Sequence, residues 1–357
     1  MLEHSESARR NRLADGFHAG SFTALLVTSP VNVRYLSGFT GSNGVLLVGV
    51  DLAVLATDGR YAEQAARETG LADIVVTRSL VGSLVHRAVE AGLVLGVERD
   101  DLTLARFEDV TNAAGGMTVV PVSGEVEKLR RVKDDAEVAA LRAAAVIADR
   151  AFAVVSTRLR PGVTERHIAA DLDGEMRRLG ADDVAFATIV AAGANGSEPH
   201  HQPTDYRVVD GDMVTIDMGA LLDGYHSDMT RTVCVGAPAP WQREIYALVQ
   251  GAQLAGRAAV QSGLPAAGVD AAARQVIEAA GHGEHFVHGV GHGVGLQIHE
   301  APMLFGDSEL VLAAGMVVTV EPGVYLPGRG GVRIEDTVVV GSGEVLTRAS
   351  YDGALGV

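Results

Sequence analysis

Four carboxylates and one imidazole, Asp217, Asp228, His292, Glu321 and Glu335, each sit inside a short glycine- or threonine-rich segment of the C-terminal half. As residue types they make a two-metal ligand set, and a chain that uses them together has to fold so that these separate segments converge. Oxygen-rich sites with little nitrogen suit Mn²⁺, Fe²⁺ or Co²⁺ better than a thiolate-bound structural zinc, and carboxylates are the side chains that can bridge two ions. Two ions about 3.5–4 Å apart can hold one hydroxide between them and polarise a carbonyl, which is hydrolase chemistry.

The first two carboxylates lie on strands joined by Leu221-Leu222-Asp223-Gly224, and the Asp-Gly pair is a hairpin signal. A loop at Leu222 and Asp223 places Asp217 directly opposite Asp228. A loop at Asp223 and Gly224 places them one register step apart on a diagonal, still on one face, because side chains alternate with period two. Thr215, Thr230 and Thr319 each stand two residues from a carboxylate (Asp217, Asp228 and Glu321), so their hydroxyls are expected to hold those carboxylates in place. Arg333 bears the same relation to Glu335.

Histidines give the second signal: His200, His201, His226, His282, His285, His288, His292 and His299 all fall within the C-terminal half. In His288-Gly289-Val290-Gly291-His292-Gly293-Val294-Gly295 glycines flank the imidazoles, which allows the backbone a close approach to a ligand. His292 is the best single nitrogen ligand, and His200, His288 and His299 are candidates for contacting substrate or moving protons. His201, His226, His282 and His285 are read as structural or solvated.

At 357 residues the chain exceeds what one hydrophobic core usually supports, so two domains are expected. Short β-branched runs at 23–28, 45–50, 53–57, 74–77, 93–97 and 118–122 alternate with amphipathic stretches at 60–69, 80–91 and 104–114, an α/β pattern. We read 1–124 as the first domain, the charge-dense 125–135 as a linker and 136–357 as the second domain. That domain opens with a helix over 136–159 and a second over 165–179 between Thr164 and Gly180. Strands follow at 185–191, 213–220 and 225–235, then helices at 241–262 and 266–280, then strands at 317–321 and 332–340, an α+β arrangement. The net charge of −16 argues against a nucleic-acid partner, whose phosphates demand a basic surface. No run of apolar residues is long enough for a membrane span, and the lone Cys234 suits a reducing compartment, so a soluble cytoplasmic protein is expected.

The segments Asp217-Met218-Gly219-Ala220, Ser227-Asp228-Met229-Thr230-Arg231-Thr232, His288 to Gly295, His299-Glu300-Ala301-Pro302, Glu321-Pro322-Gly323-Val324-Tyr325 and Arg333-Ile334-Glu335-Asp336-Thr337 together resemble the pita-bread metallopeptidases, in their Xaa-Pro branch of proline dipeptidase and aminopeptidase P. Tyr35 to Ser42 and Thr57 to Tyr61 resemble that family's N-terminal domain. The resemblance implies a creatinase-like α/β domain followed by an α+β pita-bread catalytic domain. It implies that Asp217 chelates one metal, that Asp228 and Glu335 bridge, and that His292 and Glu321 bind the other, with Mn²⁺ first and Co²⁺, Fe²⁺ or Zn²⁺ as alternatives. It gives Glu321 the acid/base role, His200 a place near the scissile nitrogen, His299 a place facing the carbonyl oxygen and His288 an outer proton-shuttling role. Arg333 joins His200 and His299 as a substrate-binding residue.

The reaction it implies is attack of a metal-bridging hydroxide on the Xaa-Pro bond of short proline-containing peptides, in a homodimer. Glu198, before Pro199-His200, adds charge close to the leaving group's subsite. No arginine follows Met303 to close the site on a substrate carboxylate, a lean toward aminopeptidase over dipeptidase. The rival readings are a metal-free creatinase-like amidinohydrolase and a non-catalytic peptide-binding module.

Overall fold

The computed structural model describes residues 3–19 and 21–351. The chain divides into two compact units, Met1–Arg130 and Arg131–Val357.

The first unit runs α1 (Glu3–Asp15), β1 (Ala24–Val27), α2 (Pro30–Ser37), β2 (Gly44–Gly49), β3 (Leu52–Thr57), α3 (Ala62–Glu68), β4 (Ile74–Val76), α4 (Leu80–Glu90), β5 (Leu95–Glu98), α5 (Leu104–Ala114), β6 (Val119–Val122) and α6 (Glu125–Arg130). Its strands form one sheet in the order β4-β3-β2-β1-β5-β6. β1 pairs antiparallel with β2 and parallel with β5, so this is a mixed α/β sheet. Leu84, Val85 and Ala88 on one face of α4 pack with Leu26, Leu47 and Val97 of the strands. Every strand and helix expected here forms, with ends moved by at most two residues.

Three helices were not anticipated. α2 is set by Pro30 in its first turn and by Gly38, whose φ of 77° ends it in the left-handed region. α6 occupies most of the charge-dense stretch read as a linker. It is tied down by Val126, which is fully buried, and by Asn32, whose Nδ2 donates to Glu127 Oε1 at 2.6 Å and whose Oδ1 accepts from Arg130 Nη1 at 2.9 Å. Charge density there reflects a helix with partners, and the third unanticipated helix, α1, has too few apolar residues to announce itself.

The second unit begins with α7 (Asp135–Ser156), α8 (Glu165–Arg178), β7 (Asp183–Val184), β8 (Ile189–Ala192), β9 (Met213–Met218), β10 (Ala220–Leu222), β11 (Tyr225–His226) and β12 (Met229–Cys234). It continues with α9 (Pro240–Ala259), α10 (Ala266–Ala279), β13 (Gly291–Gly293), β14 (Glu300–Leu304), β15 (Val317–Val320), β16 (Gly323–Leu326), β17 (Gly330–Arg333) and β18 (Asp336–Val339). Asp134 and Glu137 form a reciprocal capping box that starts α7. Thr164 caps α8 by accepting from His167 N, and Gly180 stops it at φ 106°.

α7 and α8 pack on the sheet β12-β9-β8, where Phe152, Leu172 and Met176 meet Val190, Val214 and Ile216. α9 and α10 cover a second core with Val318, Val320, Val332 and Val338 of the later strands. The long strands expected at 225–235 and 332–340 are each broken in two, at Ser227-Asp228 and at Ile334-Glu335. Both breaks fall on candidate ligands, where a carboxylate must leave the regular ladder. Among the described residues no helix is long and apolar enough to cross a membrane, and Cys234 is buried within β12.

Candidate active site

The hairpin takes the second of the two expected registers. Asp223 and Gly224 both have positive φ, 47° and 73°, the signature of a turn whose twist matches its strands. Leu222 pairs with Tyr225, and Asp217 therefore lies across from Thr230. Asp228 follows one step diagonally, level with Gly219. A Cβ at Gly219 would come within 1.9 Å of the Ser227 carbonyl, so only glycine allows the strand to pass there.

His292 comes from β13, Glu321 from the residue after β15, and Glu335 from the gap between β17 and β18. Their side chains meet the hairpin carboxylates. His292 Nε2 stands 3.5 Å from Asp228 Oδ2 and 3.4 Å from Glu321 Oε1. Asp228, His292 and Glu335 each offer a ligand atom within 4.8 Å of the others. All five candidate ligands line one cavity of about 530 Å³, together with His200, His288, His299 and Arg333.

The electrostatics of this cluster call for positive charge. Asp217 Oδ1 and Glu335 Oε1 are buried without a hydrogen-bond partner. Burial, with repulsion from Asp217 and Glu321, pushes the Asp228 carboxyl well above its ordinary range, and burial beside Asp228 does the same to Glu335. Burial raises Glu321 to about 8 against the opposing pull of Arg333. His292 is lowered to about 4 by burial, so it is neutral near pH 7. Its Nδ1 lies 3.0 Å from the Gly293 carbonyl, which can only accept, so Nδ1 carries the proton and Nε2 faces the carboxylates with a free lone pair. Neutral imidazole and clustered carboxylates whose lone pairs lack donors are a donor set for divalent cations.

Of the three threonines expected to hold Asp217, Asp228 and Glu321, only Thr319 bonds its assigned carboxylate, Glu321, while Thr230 holds Glu335 in place of Asp228. Thr230 Oγ1 donates to Glu335 Oε2 at 2.7 Å, while Thr319 bonds to Glu321 and accepts from His292 N at 3.1 Å. Thr215 instead sits 3.1 Å from Thr232 Oγ1, because it lies deeper along the strand than the carboxylate it was assigned to. Arg333 also departs from expectation: its Nη2 donates to Asp217 Oδ2 at 2.8 Å rather than to Glu335. Its Nη1 donates to Tyr325 OH at 3.0 Å and Pro199 O at 3.2 Å, and its Nε to Thr230 Oγ1 at 3.2 Å. Arg231, buried behind the strands, donates to Glu335 O at 2.5 Å and to Asp336 Oδ1 at 2.9 Å.

His288 lines the cavity with both ring nitrogens committed. Nδ1 donates to Gly289 O at 2.8 Å, which leaves Nε2 to accept from Tyr325 OH at 2.8 Å. Burial lowers it to about 4, so carrying protons would require breaking one of these bonds. His299 stands edge-on to His292 with ring centroids 4.3 Å apart, and burial lowers its pKa as well. His201 turns away to Glu165 at 2.9 Å, His226 to the Gly295 carbonyl, and His282 and His285 to each other. Glu198 follows His201 at 3.3 Å and does not line the cavity, so the charge expected near the leaving group is absent from the wall.

The glycines around His292 serve strand packing more than ligand approach. A Cβ at Gly291 would lie 2.1 Å from the Thr319 carbonyl, and one at Gly293 2.6 Å from the Ala301 carbonyl. Sequence reasoning missed the apolar walls of the cavity, Phe186, Ile189, Ile298, Met303 and Phe305, and the polar Gln202. It also gave no role to Tyr325, whose hydroxyl accepts from Arg333 Nη1 and lies 2.8 Å from His288 Nε2.

Comparison with known proteins agrees with this geometry. Residues 139–342 match the model of "Metallopeptidase family M24", and residues 9–132 match "Creatinase/Prolidase N-terminal domain". An uncharacterised peptidase of Bacillus subtilis is 42% identical over 318 residues, covering 88% of this chain and 90% of that protein. The solved structure of an Xaa-Pro dipeptidase from Bacillus anthracis superposes with a TM-score of 0.94 at 40% identity, covering 97% of this chain and 98% of the other. That of an X-Pro aminopeptidase from Thermotoga maritima gives 0.90 at 33%, covering 98% and 99%. The chain therefore belongs to metallopeptidase family M24, with a creatinase/prolidase-type domain ahead of its catalytic domain.

Proposed function

We propose that the catalytic domain hydrolyses the bond between the first residue and a following proline in short peptides, using two divalent cations held by Asp217, Asp228, His292, Glu321 and Glu335. The observation that carries this reading is the convergence of these five side chains on one cavity, with Asp217 Oδ1 and Glu335 Oε1 buried and unpartnered. Mn²⁺ is the first choice of cation. A homodimer is the state that the family resemblance implies, and the composition points to the cytoplasm.

When bound, the cations would supply a water of lowered pKa as nucleophile and polarise the scissile carbonyl. Glu321 lines the cavity beside the other ligands and, held there as a carboxylate by the cations, would carry the proton to the leaving nitrogen. His299 is kept neutral by burial and can offer an N–H to the carbonyl oxygen as it gains charge. His200, on the wall beside Pro199, would meet the departing nitrogen. Arg333 fixes Asp217 and the Pro199 carbonyl, so its part is to position other groups. A bond before proline has no N–H to recognise, and the Phe186, Ile298, Met303 and Phe305 walls offer apolar surface for the ring.

Dipeptides are the substrates we put first. The missing arginine after Met303 leans toward an aminopeptidase, but the more similar of the two solved relatives bears the dipeptidase name. The test compares Ala-Pro, Ala-Pro-Ala and Ala-Ala with Mn²⁺-loaded and chelated protein, following release of alanine. Cleavage of Ala-Pro alone supports the dipeptidase reading, and cleavage of both proline peptides moves the assignment to aminopeptidase. Silence on all three, with creatine turned over instead, would establish the amidinohydrolase.

A further inference from the structure

Glu165, in the first turn of α8, is fully buried and is not part of the cavity wall. Its carboxylate nevertheless gathers donors from the end of β8 and from the first part of the β8–β9 connection, as far as Thr204. Oε1 accepts from Ala192 N at 2.8 Å and Asn195 Nδ2 at 2.9 Å. Oε2 accepts from Thr204 N at 2.9 Å, Thr204 Oγ1 at 2.6 Å and faces His201 Nε2 at 2.9 Å. Two oxygens offer about four lone-pair sites, so these donors saturate them. A protonated or amide side chain would leave at least one donor facing another.

The segment between these anchor points carries Pro199, His200 and Gln202, all on the cavity wall. Its far side is fixed too, because Gly196 packs against the backbone of Gly331 and Arg333 Nη1 reaches Pro199 O. His201 is the hinge of the arrangement: with Nε2 on Glu165 and Nδ1 3.3 Å from Glu198, its ring is held on the side away from the cavity. Its neighbour His200 is thereby left on the cavity side. The same histidine pair in a loosely held loop could exchange places.

We infer that Glu165 is a positioning residue for the reaction, acting through His200 by clamping the loop from Ala192 to Thr204. This rests on the placement of His200 at the reacting centre. Among the described residues, the side-chain bonds of this buried carboxylate all go to this loop, which gives a reason for a charge to be kept off the cavity wall. A small displacement of a group that meets the substrate is enough to cost about 10²-fold in rate.

The test uses the full-length, Mn²⁺-loaded protein with Glu165→Gln, His200→Ala and the double variant. Glu165→Gln is expected to lower kcat on Ala-Pro by about 30–100-fold with KM and bound metal little changed. In the double variant the loss should be no greater than in His200→Ala alone, since residues acting through one another are not additive. Thr204→Val, which removes the Oγ1 bond to Glu165 and the one that Oγ1 accepts from Tyr206 N, should show a smaller loss with the same non-additivity, and it serves if the amide variant folds poorly. Hydrogen exchange at Ala192 and Thr204 is read alongside, without any substrate, and should rise in Glu165→Gln. Unchanged exchange overturns the clamp whatever the protein cleaves. Additive kinetic losses overturn its action through His200. A wild-type protein silent on Ala-Pro, with exchange raised in the variant, would sink the peptidase reading and leave the clamp standing.

Discussion

Asp336 stands directly after the candidate ligand Glu335, and its side chain is completely buried. It accepts from Arg231 Nη2 at 2.9 Å and Thr347 Oγ1 at 3.0 Å on one oxygen, and from Gln253 Nε2 at 2.8 Å, Arg257 Nη1 at 3.0 Å and the Tyr351 hydroxyl on the other. Asp336→Asn keeps the shape but removes the charge and turns an amide NH₂ against donors whichever way it rotates. Arg231, 2% exposed, then loses the one carboxylate to which it is paired among the described residues. Breaking such a buried pair destabilises by about 3–5 kcal/mol, equivalent to roughly 6–20 °C in the melting temperature of a unit this size. Arg231 also donates to Glu335 O at 2.5 Å, so the loss should extend to the site as weaker metal retention. Calorimetry of the metal-loaded variant, with metal content measured beside it, is the assay. A melting temperature within about 2 °C of wild type would refute the claim that this knot holds the Glu335 strand in place.

Other outcomes follow from the same structure. Asp228→Ala should abolish Ala-Pro turnover and most Mn²⁺ binding, read by metal analysis after desalting, because the cations lose a central carboxylate; near-normal activity would contradict the two-metal reading. His299→Ala should keep its metal and lose roughly 10²–10³-fold in kcat, and an unchanged kcat would remove His299 from the reaction. In the first unit, burial raises Glu98 from the usual 4.5 to about 7. Between those values the folded state holds a proton that the unfolded state has released, so the stability of this unit should fall as pH rises from about 4.5 to 7, by up to ~1.4 kcal/mol per pH unit. The slope, followed by thermal melts, should flatten in Glu98→Gln.

Most of the second unit's chemistry was legible because carboxylates, glycines and threonines stand in short ordered segments whose spacing survives any uncertainty in strand ends. The hairpin is an example: both possible registers put Asp217 and Asp228 on one face, and the positive φ of Asp223 and Gly224 merely selects between them. What was hidden was decided by contacts between distant segments. Arg333 was paired with its neighbour Glu335 by periodicity, yet bonds Asp217 because β17 comes up beside β9, which no local pattern encodes. The charge of Glu198 was assigned to the cavity from its position beside His200, whereas His201 captures it on the outside. Charge alone also misled at 125–130, where Glu127 and Arg130 are partners of a buried asparagine in a helix and not a linker's solvated side chains.

The central claim is that these five ligands make a metal-dependent peptidase of the cavity they line. The most direct measurement is to strip the protein of metal, add Mn²⁺ in steps, and follow bound metal and Ala-Pro cleavage in the same samples. Turnover should be absent without metal and should reach its plateau at about two ions per chain. Full cleavage in the presence of excess chelator, or a plateau in binding with no cleavage at any loading, would contradict it.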